Sequence, residues 1–124
     1  MKNVKLIGSN TEQDIRKQLV KSNELLFKSE ENKRLLEVIR SLYPEMKVAY
    51  IIDWIPEQGE DIYKLLINEN IILEIELDRY NAEIEQIIES KSITQYLQGL
   101  SKQNQIKLGV ALDLANKYLN NLNS

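Results

Sequence analysis

The chain contains no cysteine and no histidine. The first absence removes thiolate nucleophiles and disulfides, the second removes imidazole acid–base chemistry, and together they take away the usual ligands of structural zinc. Glycine occurs four times, at isolated positions 8, 59, 99 and 109, so no phosphate-cradling loop is present. Long hydrophobic runs are missing too: nothing approaches the roughly 18 residues of a bilayer span, and Asp53 and Glu74 interrupt the best stretches. Leu6-Ile7, between Lys5 and Gly8, is too short an apolar core for a secretory signal. These absences point to a soluble cytoplasmic protein with no membrane contact, no cofactor and no resident metal.

What is present is ordinary. Apolar residues make up 43% of 124 positions and charged residues 28%, which excludes wholesale disorder and fibrous repeats and suits one domain spanning 1–124. The formal charge of −3 hides an asymmetry. Residues 1–46 carry nine Lys or Arg against seven Asp or Glu, residues 47–90 carry three against eleven, and residues 91–124 carry four against one. The acid is concentrated in the middle, where it repels phosphate and argues against nucleic-acid binding.

The hydrophobic pattern predicts three blocks. Residues 10–43 read as helical, one kinked helix or two, with Ile15, Leu19 and Leu26 followed by Leu35, Leu36, Val38, Ile39 and Leu42. Asn10 and Ser29 are candidate caps, and Pro44 is the terminator. Residues 47–78 change to a period of two and read as a three-stranded antiparallel meander: a strand from Lys47 stopped by Pro56, a turn at Glu57–Glu60, a strand over 61–67, a turn at Asn68–Asn70, and a strand over 71–78. Residues 81–122 read as helical again: a short helix after Asn81 carrying Ile84, Ile87 and Ile88, another opened by a Ser92–Gln95 capping box, and a last one capped by Ser101. Val4–Ile7 is a candidate edge strand, and the residues from Asn120 onward are expected to fray. The expected fold class is α+β, with C-terminal helices packed on the sheet.

Two regions draw functional attention. Strict alternation puts Glu74, Glu76 and Asp78 on one strand face together with Ile51, Asp53, Ile62, Lys64, Leu66 and Ile72, a mixture of acid and apolar surface that suits an interface as well as a wetted sheet. Trp54, the only tryptophan, precedes the acidic turn containing Glu57, Glu60 and Asp61; it is either a core anchor grouped with Tyr50 and Ile52 or an exposed binding hot spot. The serines occupy cap and turn positions and lack a histidine partner, so no catalytic residue is assigned.

The helix–strand–strand–strand–helix order resembles the core of the restriction-endonuclease-like nucleases, in which hairpin carboxylates bind a metal and a lysine assists hydrolysis. Here Glu74-Ile75-Glu76 and Glu76-Leu77-Asp78 put acids where that lysine should stand, and Pro56 is followed by Glu57 rather than Asp. The Ile55-Pro56-Glu57 segment with its meander is also similar to segments of some small bacterial immunity proteins. Expectation therefore centres on a non-enzymatic protein that docks on or neutralises a basic protein partner, with toxin immunity or antitoxin as the concrete form, through Trp54, Glu57, Glu60, Asp61, Glu74, Glu76 and Asp78. The alternatives are a homo-oligomeric structural or regulatory domain, with the last helix as a candidate dimer stripe, and a divergent metal-dependent nuclease.

Overall fold

The computed structural model describes residues 8–81 and 83–122; the candidate strand at Val4–Ile7 lies outside them. Helix α1 spans Asn10–Lys28. Its cap is Ser9, one residue before the expected Asn10: the Ser9 hydroxyl accepts the Glu12 N–H at 3.2 Å while the Glu12 carboxylate accepts the Gly8 N–H at 2.9 Å, a reciprocal arrangement that satisfies otherwise orphaned donors. The helical block then divides. Ser29 caps a short 3₁₀ turn at Glu30–Asn32, and α2 follows over Lys33–Leu42 before Pro44 prevents continuation.

Among the described residues the sheet has four antiparallel strands rather than three: β1 (Ala49–Glu57), β2 (Glu60–Ile67), β3 (Ile71–Asp78) and β4 (Ile87–Ser92), in spatial order β1-β2-β3-β4. The fourth replaces the helix expected after Asn81. Ile87 and Ile88 fit a helical stripe and a strand equally well over so short a run, and the open edge of β3 decides the matter by offering a ladder. Pro56 does not stop β1, because β1 is an edge strand that can accommodate a residue without an N–H. The β1–β2 turn needs only Gln58 and Gly59, with Gly59 at φ 85°. Asn68 opens the next turn at φ 52° and accepts the Lys47 and Val48 N–H groups through its side chain.

Helices cover both faces. On one, Tyr50, Ile52, Leu66 and Ile72 pack against Ile15 and Leu19 of α1, against Tyr96 of α3 (Ile93–Leu97), and against Leu108, Ala111, Leu112 and Ala115 of α4 (Lys102–Leu122). The last helix thus spends the centre of its stripe inside its own chain. On the other, Leu65, Leu73, Ile75 and Leu77 pack against Leu26 of α1 and Leu35, Leu36 and Ile39 of α2. The expected caps hold for the C-terminal helices, with a complete Ser92–Gln95 capping box and a Ser101 hydroxyl accepting the Asn104 N–H. Helix α1 reaches both clusters by crossing the β1 edge, where Ser22 Oγ accepts the Ile51 N–H at 3.1 Å and Asn23 Oδ1 accepts the Ala49 N–H at 3.3 Å.

Candidate functional site

Strand register sorts the expected site residues onto two opposite faces. β1 carries a bulge at Ile52, since Ile51 pairs with Leu65 and Asp53 with Lys64. The extra residue shifts the phase of alternation, so positions before and after it cannot be grouped by parity. Ile51 falls on the α2 face and Asp53 on the α4 face, although alternation puts them together. Trp54 separates from Tyr50 and Ile52 for the same reason, and it is 56% exposed rather than a core anchor.

On the α4 face the strands form four transverse rows. Tyr50, Leu66, Ile72 and Lys91 make the first, Asp53, Lys64, Glu74 and Glu89 the second, Ile55, Ile62, Glu76 and Ile87 the third, and Glu57, Glu60 and Asp78 the fourth. Helices cover the first row, so Leu66 and Ile72 are core rather than interface. The third and fourth rows hold exposed Glu57 and Ile87, the latter 61% exposed, with half-buried Ile55, Ile62, Glu60, Glu76 and Asp78. Five of the seven expected residues, Glu57, Glu60, Glu74, Glu76 and Asp78, therefore share one face.

They are not equivalent. Glu74 is bridged by Lys91 at 3.3 Å and Lys64 at 3.9 Å and is mostly covered, so its charge is answered within the chain. Asp78 accepts the Tyr80 and Asn81 N–H groups at 3.0 and 2.8 Å and fixes the exit from β3. Beneath the second row, burial pushes the Tyr96 hydroxyl up to about 12, with Asp53 and Glu74 adding to the effect. The face as a whole carries seven carboxylates and two lysines among its paired positions, so its field stays strongly negative despite these bridges.

Trp54 and Asp61 lie on the α2 face, where they serve the hairpin. Trp54 stacks on Tyr63 with ring centroids 6.4 Å apart and planes 9° from parallel. Its indole N–H donates to Asp61 Oδ1 at 3.0 Å, and the same carboxylate receives Arg79 Nη2 at 2.8 Å and Nε at 3.3 Å. Arg79 also donates to the Glu57 and Glu60 carbonyls, so it clamps the β1–β2 turn to the end of β3. These Arg79 hydrogen bonds, aided by Trp54 and opposed by partial burial, hold the Asp61 carboxyl below the usual carboxylate range. A cleft of about 660 Å³ runs beside this group, lined by Leu25, Ile51, Trp54 and Tyr63 among others.

Sequence inspection missed Ile55, Ile87 and Arg79. The run Ile87-Ile88-Glu89-Ser90-Lys91-Ser92 has no apolar–polar alternation to mark a fourth strand, and nothing local announces that Arg79 meets Asp61. Among the described residues, no group of three or more Asp or Glu is placed to hold a metal ion, and no helix is long and apolar enough to cross a membrane. The chain matches no protein-family model, no curated protein and no solved structure, so its functional interpretation rests on its own geometry.

Proposed function

We propose that the open end of the α4 face is a docking surface for a basic protein partner, and that the chain acts by binding rather than by catalysis. The observation that carries this is the row Ile55, Ile62 and Ile87, left uncovered by the helices and framed by Asp53, Glu57, Glu60, Glu76, Asp78 and Glu89. An apolar centre with a charged rim is the composition of an interface, and a single-sign rim selects for an oppositely charged partner and speeds its approach. Toxins that cleave nucleic acid must present basic surfaces to phosphate, so an immunity or antitoxin protein is the concrete form of this reading. The site differs from the expected one: Glu76, Glu60 and Glu57 carry it with the isoleucines, Glu74 and Asp78 support it, and Trp54 and Asp61 lie behind it.

The test is a nuclear magnetic resonance titration of the labelled chain with a synthetic lysine- and leucine-rich peptide at low and high salt. The expected shifts gather on Ile55, Ile62, Glu76 and Ile87, weaken with salt, and fade in the Glu60→Lys/Glu76→Lys variant. Shifts spread over α1 and α4 instead, or indifferent to the double reversal, would overturn the assignment.

A further inference from the structure

The two sheet edges are treated differently. On β1, Ser22 and Asn23 occupy outward N–H groups, Ile52 bulges the strand, and Pro56 removes a donor, three recognised ways of preventing edge-to-edge pairing. On β4 the described residues show no bulge and no proline, and the one outward N–H occupied by a side chain is that of Ser92, at the end of the strand.

Alternation across the ladder shows where the β4 backbone points. The Ala49 and Ile51 N–H groups turn away from β2, so their partners Ile67 and Leu65 face β3. In antiparallel pairs both residues face each other or both face away. Leu73, opposite Leu65, therefore faces β2, and Ser90, opposite Leu73, directs its N–H and carbonyl outward. The same parity makes the Ser92 N–H outward, and its hydrogen bond is indeed to the Gln95 side chain at 3.0 Å rather than to the ladder. Past Ser92 the chain enters α3, whose Tyr96 joins the α4-face core and whose Gln95 meets the outer edge only at its Ser92 end.

We infer that β4 pairs antiparallel with β4 of a second copy of this chain, about a two-fold axis at Ser90. In that register Glu89 of each copy lies opposite Lys91 of the other, so the only charged side chains of the strand meet in two complementary pairs. A lysine normally protects an edge by forcing a charge into the approaching strand; here the approaching strand brings the carboxylate. Registers centred on Glu89 or on Lys91 instead oppose like charges, which disfavours them. A two-fold contact is self-complementary by construction, and one short strand buries less than the area of a standard stable interface, so the dimer forms only as concentration rises. The contact engages Glu89 at the rim of the acidic face but leaves the Ile55, Ile62 and Glu76 positions open, so self-association and docking are read by separate measurements.

Sedimentation equilibrium over a rising concentration series tests this with two opposite reversals. The natural chain should dimerise. Glu89→Lys alone and Lys91→Glu alone should each remain monomeric at concentrations where it does, and an equimolar mixture of the two variants should recover the dimer, because both facing pairs become attractive again. A natural chain that stays monomeric throughout, a dimer untouched by both reversals, or a mixture that fails to associate overturns the inference. Lys91 also bridges Glu74; if its reversal melts the fold in a circular-dichroism control, Ser90→Pro decides instead. The N–H it lacks points away from β3, so a monomer supports the edge contact and an unchanged dimer refutes it.

Discussion

Asp61, expected at a partner-facing surface, is engaged within its own chain. Its place in an acidic turn beside the only tryptophan suggests a partner-facing carboxylate, yet it is consumed by Arg79 and the Trp54 indole. Because its folded-state pKa is depressed, the unfolded chain takes up the proton first; the stabilisation is present above about pH 4 and disappears as pH falls through the folded value. Trp54 reports the loss directly. Its emission should shift as the pH is lowered below about 4, and Asp61→Asn should show the altered emission already at neutral pH with no further acid step. An acid transition unchanged in that variant would detach the tryptophan from this carboxylate.

At the scale of elements, the helices and hairpins were legible because their signals are local. Ser92–Gln95, Ser29, Pro44, Asn68 and the alternation from Ile71 to Asp78 each act within a few residues, and each behaves as its chemistry requires. Three features were not legible because competition between distant segments decides them. The fate of Ile87–Ser92 depends on an unpaired β3, the faces of Asp53 and Trp54 depend on where the bulge falls, and the docking of α1 along β1 depends on Ser22 and Asn23, which look like ordinary polar positions on a helix. The α1 contacts give a prediction at this scale. Ser22→Ala and Asn23→Ala should each cost about 1–2 kcal/mol by leaving a part-buried N–H unpaired, read as a lowered denaturant midpoint with an unchanged slope. Losses no larger than those of Ala substitutions at exposed α1 positions such as Lys17 would show that the edge does not need them.

For the whole molecule, one sheet separates two apolar clusters, and α1 contributes to both. Such an arrangement unfolds as one unit, since neither cluster keeps its boundary without the shared strands. Leu26→Ala, at a fully buried position, should cost about 2–5 kcal/mol and lower the melting temperature in a single transition seen alike by far-ultraviolet dichroism and Trp54 fluorescence. Two separated transitions would mean that the clusters fold independently. The acidic face was visible from composition, because eleven acids between 47 and 90 cannot all hide; the isoleucine row on which the docking proposal rests was not, because it draws on three strands at once.

The joining of α1 to α4 carries a consequence for the chain as it is made. Arg16 meets Asp113 at 2.8 Å across 97 positions, and Ile15 and Leu19 share their core with Leu108 and Leu112. The ribosome releases the first of these partners long before the last. Until α4 clears the exit tunnel, a nascent copy holds the cluster around Ile15 and Leu19 open to solvent, a window in which a holding chaperone would find it and a stop codon before α4 would leave it stranded.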